Sequence, residues 1–173
     1  MKAIILAAGA GSRLGELTKD CPKPLIKIGE KSLLEHQISK LKKNNINEIF
    51  VIVGPYPEKY TFDGIEYIID KNFKEHDQFG SLLLSKSLLT EEIIIIFADI
   101  IFDEIILKQI LNSKNNFSIS VDLEWKNSYT IRTNNDISDA DVSVISNNEI
   151  SKIGRNSKFL HENVTGEFLG IIK

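Results

Sequence analysis

Short, continuously apolar runs set the strongest limit on how this chain can fold. AIILAA (Ala3–Ala8), EIFVIV (Glu48–Val53), IEYIID (Ile65–Asp70) and EIIIIFAD (Glu92–Asp99) lack the apolar–polar alternation of a strand with one wet face. Such runs fit strands buried on both faces of a sheet, and the isoleucine-rich last one is apolar enough to be central. The segments between them read as helices. Ser32 with Glu35 forms a capping box, Leu33, Leu34, Ile38 and Leu41 follow on one face, and Asn44-Asn45 ends the helix. Gly80–Leu89 reads as a second helix. Asp103 is placed to cap a third that turns Ile106, Leu107, Ile110 and Leu111 inward. FSISVD (Phe117–Asp122) reads as a fifth strand. This alternation predicts an α/β fold: a doubly wound, mostly parallel (mixed) sheet flanked by helices.

After Asp122 the pattern changes. YTIRT, DVSVIS and EISKIG read as short strands, the last two joined by an Asn147-Asn148 hairpin turn. The expected organisation is one domain over 1–173, with a core at 1–121 and a β-rich segment at 122–173 beside the carboxyl edge of the sheet.

Charge narrows the partners. Lys plus Arg is 21 and Asp plus Glu 24, a net charge of −3, which argues against a general nucleic-acid or membrane-surface binder. The one cysteine, Cys21, allows no internal disulfide and fits a reducing cytoplasm. Ala3–Ala10 is too short for a signal peptide, and no run is long enough to span a bilayer.

The first apolar run leads into Gly9-x-Gly11-Ser12-Arg13, then Leu17-Thr18, then Pro22-Lys23-Pro24. A dinucleotide fingerprint would need a third glycine where Leu14 stands, and a P-loop would need Gly-Lys-Ser/Thr. The string has its own logic. Glycines let backbone N–H groups approach phosphate oxygens, Arg13 offers a planar fork, and Lys23 a point charge. Pro22 and Pro24 restrict the backbone around that lysine. The pattern points to a loop that wraps a triphosphate.

The stretch from "LAAGAGSRLGELTKDCPKP" to "EIFVIVG" resembles the nucleoside-triphosphate transferases, the family of the sugar-phosphate nucleotidylyltransferases. LGELT, with Glu16 where the hexose-phosphate enzymes commonly have proline, resembles the cytidylyltransferase branch that acts on phosphocholine and phosphonates such as aminoethylphosphonate. So do VDLEWKNSYTIRT, DADVSV, EISKIGR and TGEFLGIIK. The resemblance implies transfer of CMP from CTP to a small phosphate or phosphonate, with 1–121 as the nucleotide-binding core and 122–173 on the acceptor side. It implies nucleotide contacts at Leu6, Ala8, Gly9, Gly11, Ser12, Arg13, Lys23, Gln78, Gly80 and Ser81, with Arg13 and Lys23 catalytic. Asp99 is implied as the Mg²⁺ ligand; helix capping is the alternative. Acceptor contacts fall on Trp125, Tyr129, Arg132, Arg155 and Glu167. With Phe168, the two aromatics form either a cage for a quaternary ammonium or ordinary packing.

Three departures stand out. Ala98 precedes Asp99 where the family has glycine, and Arg155 stands where it usually has a second lysine. The chain ends just after GEFLGI, where further elements with a second metal-binding aspartate are implied; Asp122 and Glu167 are the carboxylates that could partly substitute. The rival readings are a hexose-1-phosphate nucleotidylyltransferase using UTP or dTTP, and a nucleotide-binding module without catalysis. A homodimer is a further possibility. His36 and His161 receive no role.

Overall fold

The four apolar runs are strands in the computed structural model, which describes residues 1–130, 136–155 and 157–173, and their side chains except those of Ser12, Arg13 and Ser157. The chain divides into two compact units, one of Met1–Ser118 with Ile172–Lys173, the other of Ile119–Ile171.

In chain order the first unit contains β1 (Lys2–Ala7), the short pair β2 (Lys27–Ile28) and β3 (Lys31–Ser32), α1 (Leu33–Lys43), β4 (Ile49–Val53), β5 (Glu66–Ile69), α2 (Gln78–Leu83), β6 (Ile93–Phe97) and α3 (Glu104–Leu111). Its sheet runs β5-β4-β1-β6, and every pairing is parallel: Ala7 lies opposite Val53, Val53 opposite Ile69, and Leu6 opposite Phe97. All four strands therefore end at the same edge. Ile4, Phe50, Ile52 and Ile95 bury one sheet face against Phe73, Leu82 and Leu88. Their neighbours in sequence, Ile5, Val51 and Ile96, point to the opposite face and are buried too. Burial on both faces is what the unalternating runs require, and each such side chain contributes about 1.5–3 kcal/mol. Helices flank the sheet.

The capping box of α1 forms as expected. Glu35 N–H donates to Ser32 Oγ at 3.2 Å, and Ser32 N–H donates to Glu35 Oε2 at 2.7 Å. Those bonds hold the Glu35 carboxyl below its ordinary range. The helix stops at Asn44, before Asn45 at φ 63°. α2 is earlier and shorter than Gly80–Leu89. Asp77 caps it by accepting Gly80 N–H at 2.8 Å, and the Ser85 hydroxyl bonds back to Leu82 C=O at 2.6 Å, so only a 3₁₀ turn at Lys86–Leu88 follows. Asp103 occupies the N-cap position of α3 without a side-chain cap bond; Leu107 and Ile110 are its buried residues.

The second unit contains β7 (Ile119–Asp122), α4 (Trp125–Tyr129), β8 (Val142–Ser146), β9 (Glu149–Gly154) and all but the last residue of β10 (Thr165–Ile172). β7 pairs with β10, and β8 runs antiparallel to both β9 and β10. The β8–β9 turn is Asn147-Asn148, with φ of 54° and 61°, the left-handed pair that matches the twist of a hairpin. The expected strand at YTIRT is corrected: Tyr129 ends a short helix, and 131–135 lie outside the described residues. The helix wins because Trp125 and Tyr129, one turn apart, share a face. Trp125 packs with Ala140 and Val142, and the Tyr129 ring meets it edge-on at 5.7 Å. Among the described residues, no helix is long and apolar enough to cross a membrane.

Candidate active site

The common carboxyl edge of the parallel strands gathers residues that are distant in sequence. β1 runs out at Ala7, and Leu6 and Ala8 belong to the apolar core while Gly9 is exposed. Gly11 then takes φ 67°, ψ 17°, and a 3₁₀ segment, Ser12–Thr18, begins. A side chain at position 11 would be strained by that φ and would sit 3.0 Å from Thr18 Cγ2. The Gly11 carbonyl accepts from Leu14 N–H and from the Thr18 hydroxyl, both at 3.0 Å. The loop is thus a self-bonded turn. Beyond β4, Tyr56 OH donates to Lys19 C=O at 2.9 Å and the Lys59 ammonium donates to Asp20 C=O, which ties the far end of the loop down. Gly54, which the sequence did not single out, allows β4 to close on this loop: a Cβ there would lie 2.3 Å from Ala8 O.

Lys23 opens a short 3₁₀ turn behind Pro22, with Pro24 buried. Its Nζ lies 2.9 Å from Asp99 Oδ2, although the two residues are 76 apart in sequence. Their side chains are 31% and 45% exposed, so the pair contributes little to stability and its members remain open to exchange partners. Asp99 lies in the turn that follows β6, and Ala98 N–H donates to Leu6 C=O at 3.0 Å. The structure therefore brings together two of the residues expected to serve phosphate and metal. Among the described residues, no group of three or more His, Cys, Asp or Glu side chains forms a ready-made metal cage. A single half-exposed carboxylate near the Gly11 loop has the chemistry to hold a Mg²⁺ ion only if phosphate oxygens and water complete its shell.

The segment expected to read the base divides by role. Gln78 is exposed at the start of α2, whereas the Gly80 N–H is taken by Asp77. Ser81 is buried, and its hydroxyl donates to Asp70 Oδ2 at 2.7 Å. Asp70, 1% exposed at the end of β5, also pairs through Oδ2 with His76 Nδ1 at 3.0 Å and accepts Asn72 N–H at 2.9 Å on Oδ1. Burial pushes this carboxyl up, but the bonds from Ser81, His76 and Asn72 outweigh burial and hold it below its ordinary range. Sequence reasoning passed over Asp70, although it ends an apolar strand just as Asp99 does.

In the second unit, Trp125 is fully buried and its Nε1–H donates to Thr165 Oγ1 at 3.3 Å. It is core, the second of the two readings left open for it. Tyr129 OH donates to Glu167 Oε1 at 2.6 Å. The Arg155 guanidinium engages Asp141 with both arms of its fork, Nε to Oδ1 at 3.0 Å and Nη2 to Oδ2 at 3.2 Å, and this pairing raises its pKa further. Phe168 is half-buried, and its N–H donates to Asp141 C=O at 2.9 Å. Asp122 accepts Glu124 N–H at 2.8 Å. Arg132 lies outside the described residues.

The profile of the nucleotidyl transferase family matches residues 2–115. The CTP:phosphoglutamine cytidylyltransferase of Campylobacter jejuni is 28% identical over 186 residues, covering 100% of this chain and 72% of the relative. The bifunctional protein GlmU of Methanococcus maripaludis is 38% identical over 125 residues, covering 69% of this chain and 29% of the relative. Among solved structures, the CTP:phosphocholine cytidylyltransferase of Streptococcus pneumoniae superposes with a TM-score of 0.72 at 26% identity, covering 99% of this chain and 69% of that one.

Proposed function

Since the chain belongs to the nucleotidyl transferase family, we propose that it transfers CMP from CTP to a small phosphorylated or phosphonate acceptor and releases pyrophosphate. The observation that carries this reading is the convergence of the Gly11 loop, Lys23 and Asp99 at one edge of the parallel sheet. The choice of CTP rests on similarity to two cytidylyltransferases with different acceptors.

The Gly9–Arg13 backbone binds the triphosphate through N–H groups, because no Cβ at Gly9 or Gly11 blocks the approach. The Lys23 ammonium, now on Asp99, is drawn to the phosphates when they enter, and with Arg13 it neutralises charge building on the departing pyrophosphate. Asp99 would hold a Mg²⁺ ion, which when bound supplies further positive charge to phosphate oxygens. Gln78 is the side chain on α2 available for the base edge. On the acceptor, an anionic oxygen attacks the α-phosphorus as the bond to the bridging oxygen of pyrophosphate breaks. That oxygen is already deprotonated near neutral pH, so the protein's task is alignment rather than base catalysis. Tyr129, Arg132, Arg155 and Glu167 are the proposed acceptor contacts, and Trp125 serves by packing Tyr129.

A nucleotide panel tests the reading. Calorimetry with Mg²⁺ should find CTP bound at least about tenfold more tightly than UTP, ATP or GTP, a difference of about 1.4 kcal/mol. Pyrophosphate release should then follow with phosphocholine, phosphoglutamine or aminoethylphosphonate. A preference for UTP or dTTP with turnover of a hexose 1-phosphate moves the protein to the hexose branch. Tight CTP binding without turnover of any acceptor makes it a binding module.

A further inference from the structure

We propose that Gln37, in the middle of α1, is the positioning residue that fixes the Asp99 turn, and so sets the carboxylate the nucleotidyl-transfer reading gives to Mg²⁺. Gln37 interrupts the inward face of α1: Leu33, Leu34, Ile38 and Leu41 are buried beside it, and it is itself 1% exposed. A buried carboxamide is costly unless its polar atoms are bonded. Here Nε2 donates to Phe97 C=O at 3.0 Å and to Ile100 C=O at 2.8 Å. Those two carbonyls bracket Ala98 and Asp99. One NH₂ group, with its two hydrogens, therefore closes both ends of the turn. The amide orientation is fixed by this chemistry, since the flipped form would face its oxygen against two carbonyl oxygens.

Packing does not account for the residue. Gln37 Oε1 is buried with no partner among the described residues, a standing cost that a leucine in the same stripe would not carry. A local rule broken in this way, at a position whose side-chain hydrogen bonds among the described residues go to the turn of Asp99, points to a residue that serves the site. β1 holds the same turn from the other side through Leu6 C=O and Ala98 N–H. Asp99 is thus set between α1 and β1, and the direction of its carboxylate follows from both.

The test compares wild type with Gln37→Leu and Gln37→Met, the latter an unbranched chain that fills the same space. Leu41→Ala is the control for simple destabilisation of the same helix face. In the free protein, amide exchange across residues 97–102 should become about tenfold faster in the Gln37 variants, while β4 is unchanged. In CTP binding, the Mg²⁺ concentration at half-saturation should rise by about tenfold or more, and CTP affinity at saturating Mg²⁺ should stay within about twofold, as expected for a residue that orients a metal ligand. Leu41→Ala should lower Tm and do neither. Unchanged exchange in both Gln37 variants, or equal changes in Leu41→Ala, overturns the proposal. If wild type binds no nucleotide with Mg²⁺, the nucleotidyl-transfer reading fails, and the exchange experiment still decides whether Gln37 fixes the turn.

Discussion

Asp99 and Asp70 each follow the last residues of an apolar parallel strand, yet their surroundings give them opposite work. Asp99 is half-exposed, and the cation it pairs with among the described residues, Lys23, is itself partly exposed and able to leave. Asp70 is buried and takes bonds from three groups within its own segment. Lys23→Ala should therefore lower turnover by orders of magnitude and leave Tm nearly unchanged, because an exposed pair is worth at most about 1 kcal/mol. Near-normal turnover would remove Lys23 from the phosphate site. Asp70→Asn should instead destabilise the fold by about 1–3 kcal/mol, since it turns donors toward donors in a buried place. The sign of the pH effect follows from the lowered pKa of Asp70. Its stabilisation is complete above the unfolded-chain pKa of about 3.9 and is lost as pH falls through the folded value. In urea titrations the gap between wild type and Asp70→Asn should shrink on acidification; a gap of constant size would show that the carboxylate charge is irrelevant.

Among the secondary-structure elements, α1 and the β8–β9 hairpin, whose end signals are local, formed where the sequence placed them, whereas α2 starts earlier than expected, at the Asp77 cap. Ser32 and Glu35 start α1, and Ser32→Ala should cost about 1 kcal/mol by thermal melt, with Glu35→Gln milder because an amide still accepts the Ser32 N–H. The β8–β9 hairpin depends on two left-handed asparagines, so Asn148→Val should cost about 1–2 kcal/mol while Asn148→Gly should not. A valine variant as stable as wild type would show that the turn has another conformation in solution. The element read least well was settled by distant contacts. α4 exists because Trp125 packs on Ala140 and Val142, and nothing within DLEWKNSY announces those partners.

At the scale of the whole chain, the family match at residues 2–115 falls inside the first compact unit, which ends its main run at Ser118. Nucleotide binding should accordingly be a property of that unit's residues. A ligand at about a hundredfold over its Kd adds about 2.7 kcal/mol, which for a chain of this size shifts Tm by roughly 5–10 °C. CTP with Mg²⁺ should produce that shift, and CTP with EDTA much less. An equal shift in EDTA would remove the metal from the proposal.

The sequence by itself determined the parallel α/β core, because an unalternating apolar run has only one favourable environment, and it determined the ends of α1 and the hairpin, because caps and left-handed turns are local chemistry. It also singled out the Gly11 loop, Lys23 and Asp99 as candidates, since glycine, proline and a carboxylate ending an apolar strand are each costly without a reason. Only the tertiary structure decided what those residues meet. The 2.9 Å approach of Lys23 to Asp99, the closure of Gly54 on Ala8, the burial of Trp125 and the double bond from Gln37 to the Asp99 turn all join residues far apart in the chain. Such contacts are set by strand order and register, which no local pattern of residues encodes.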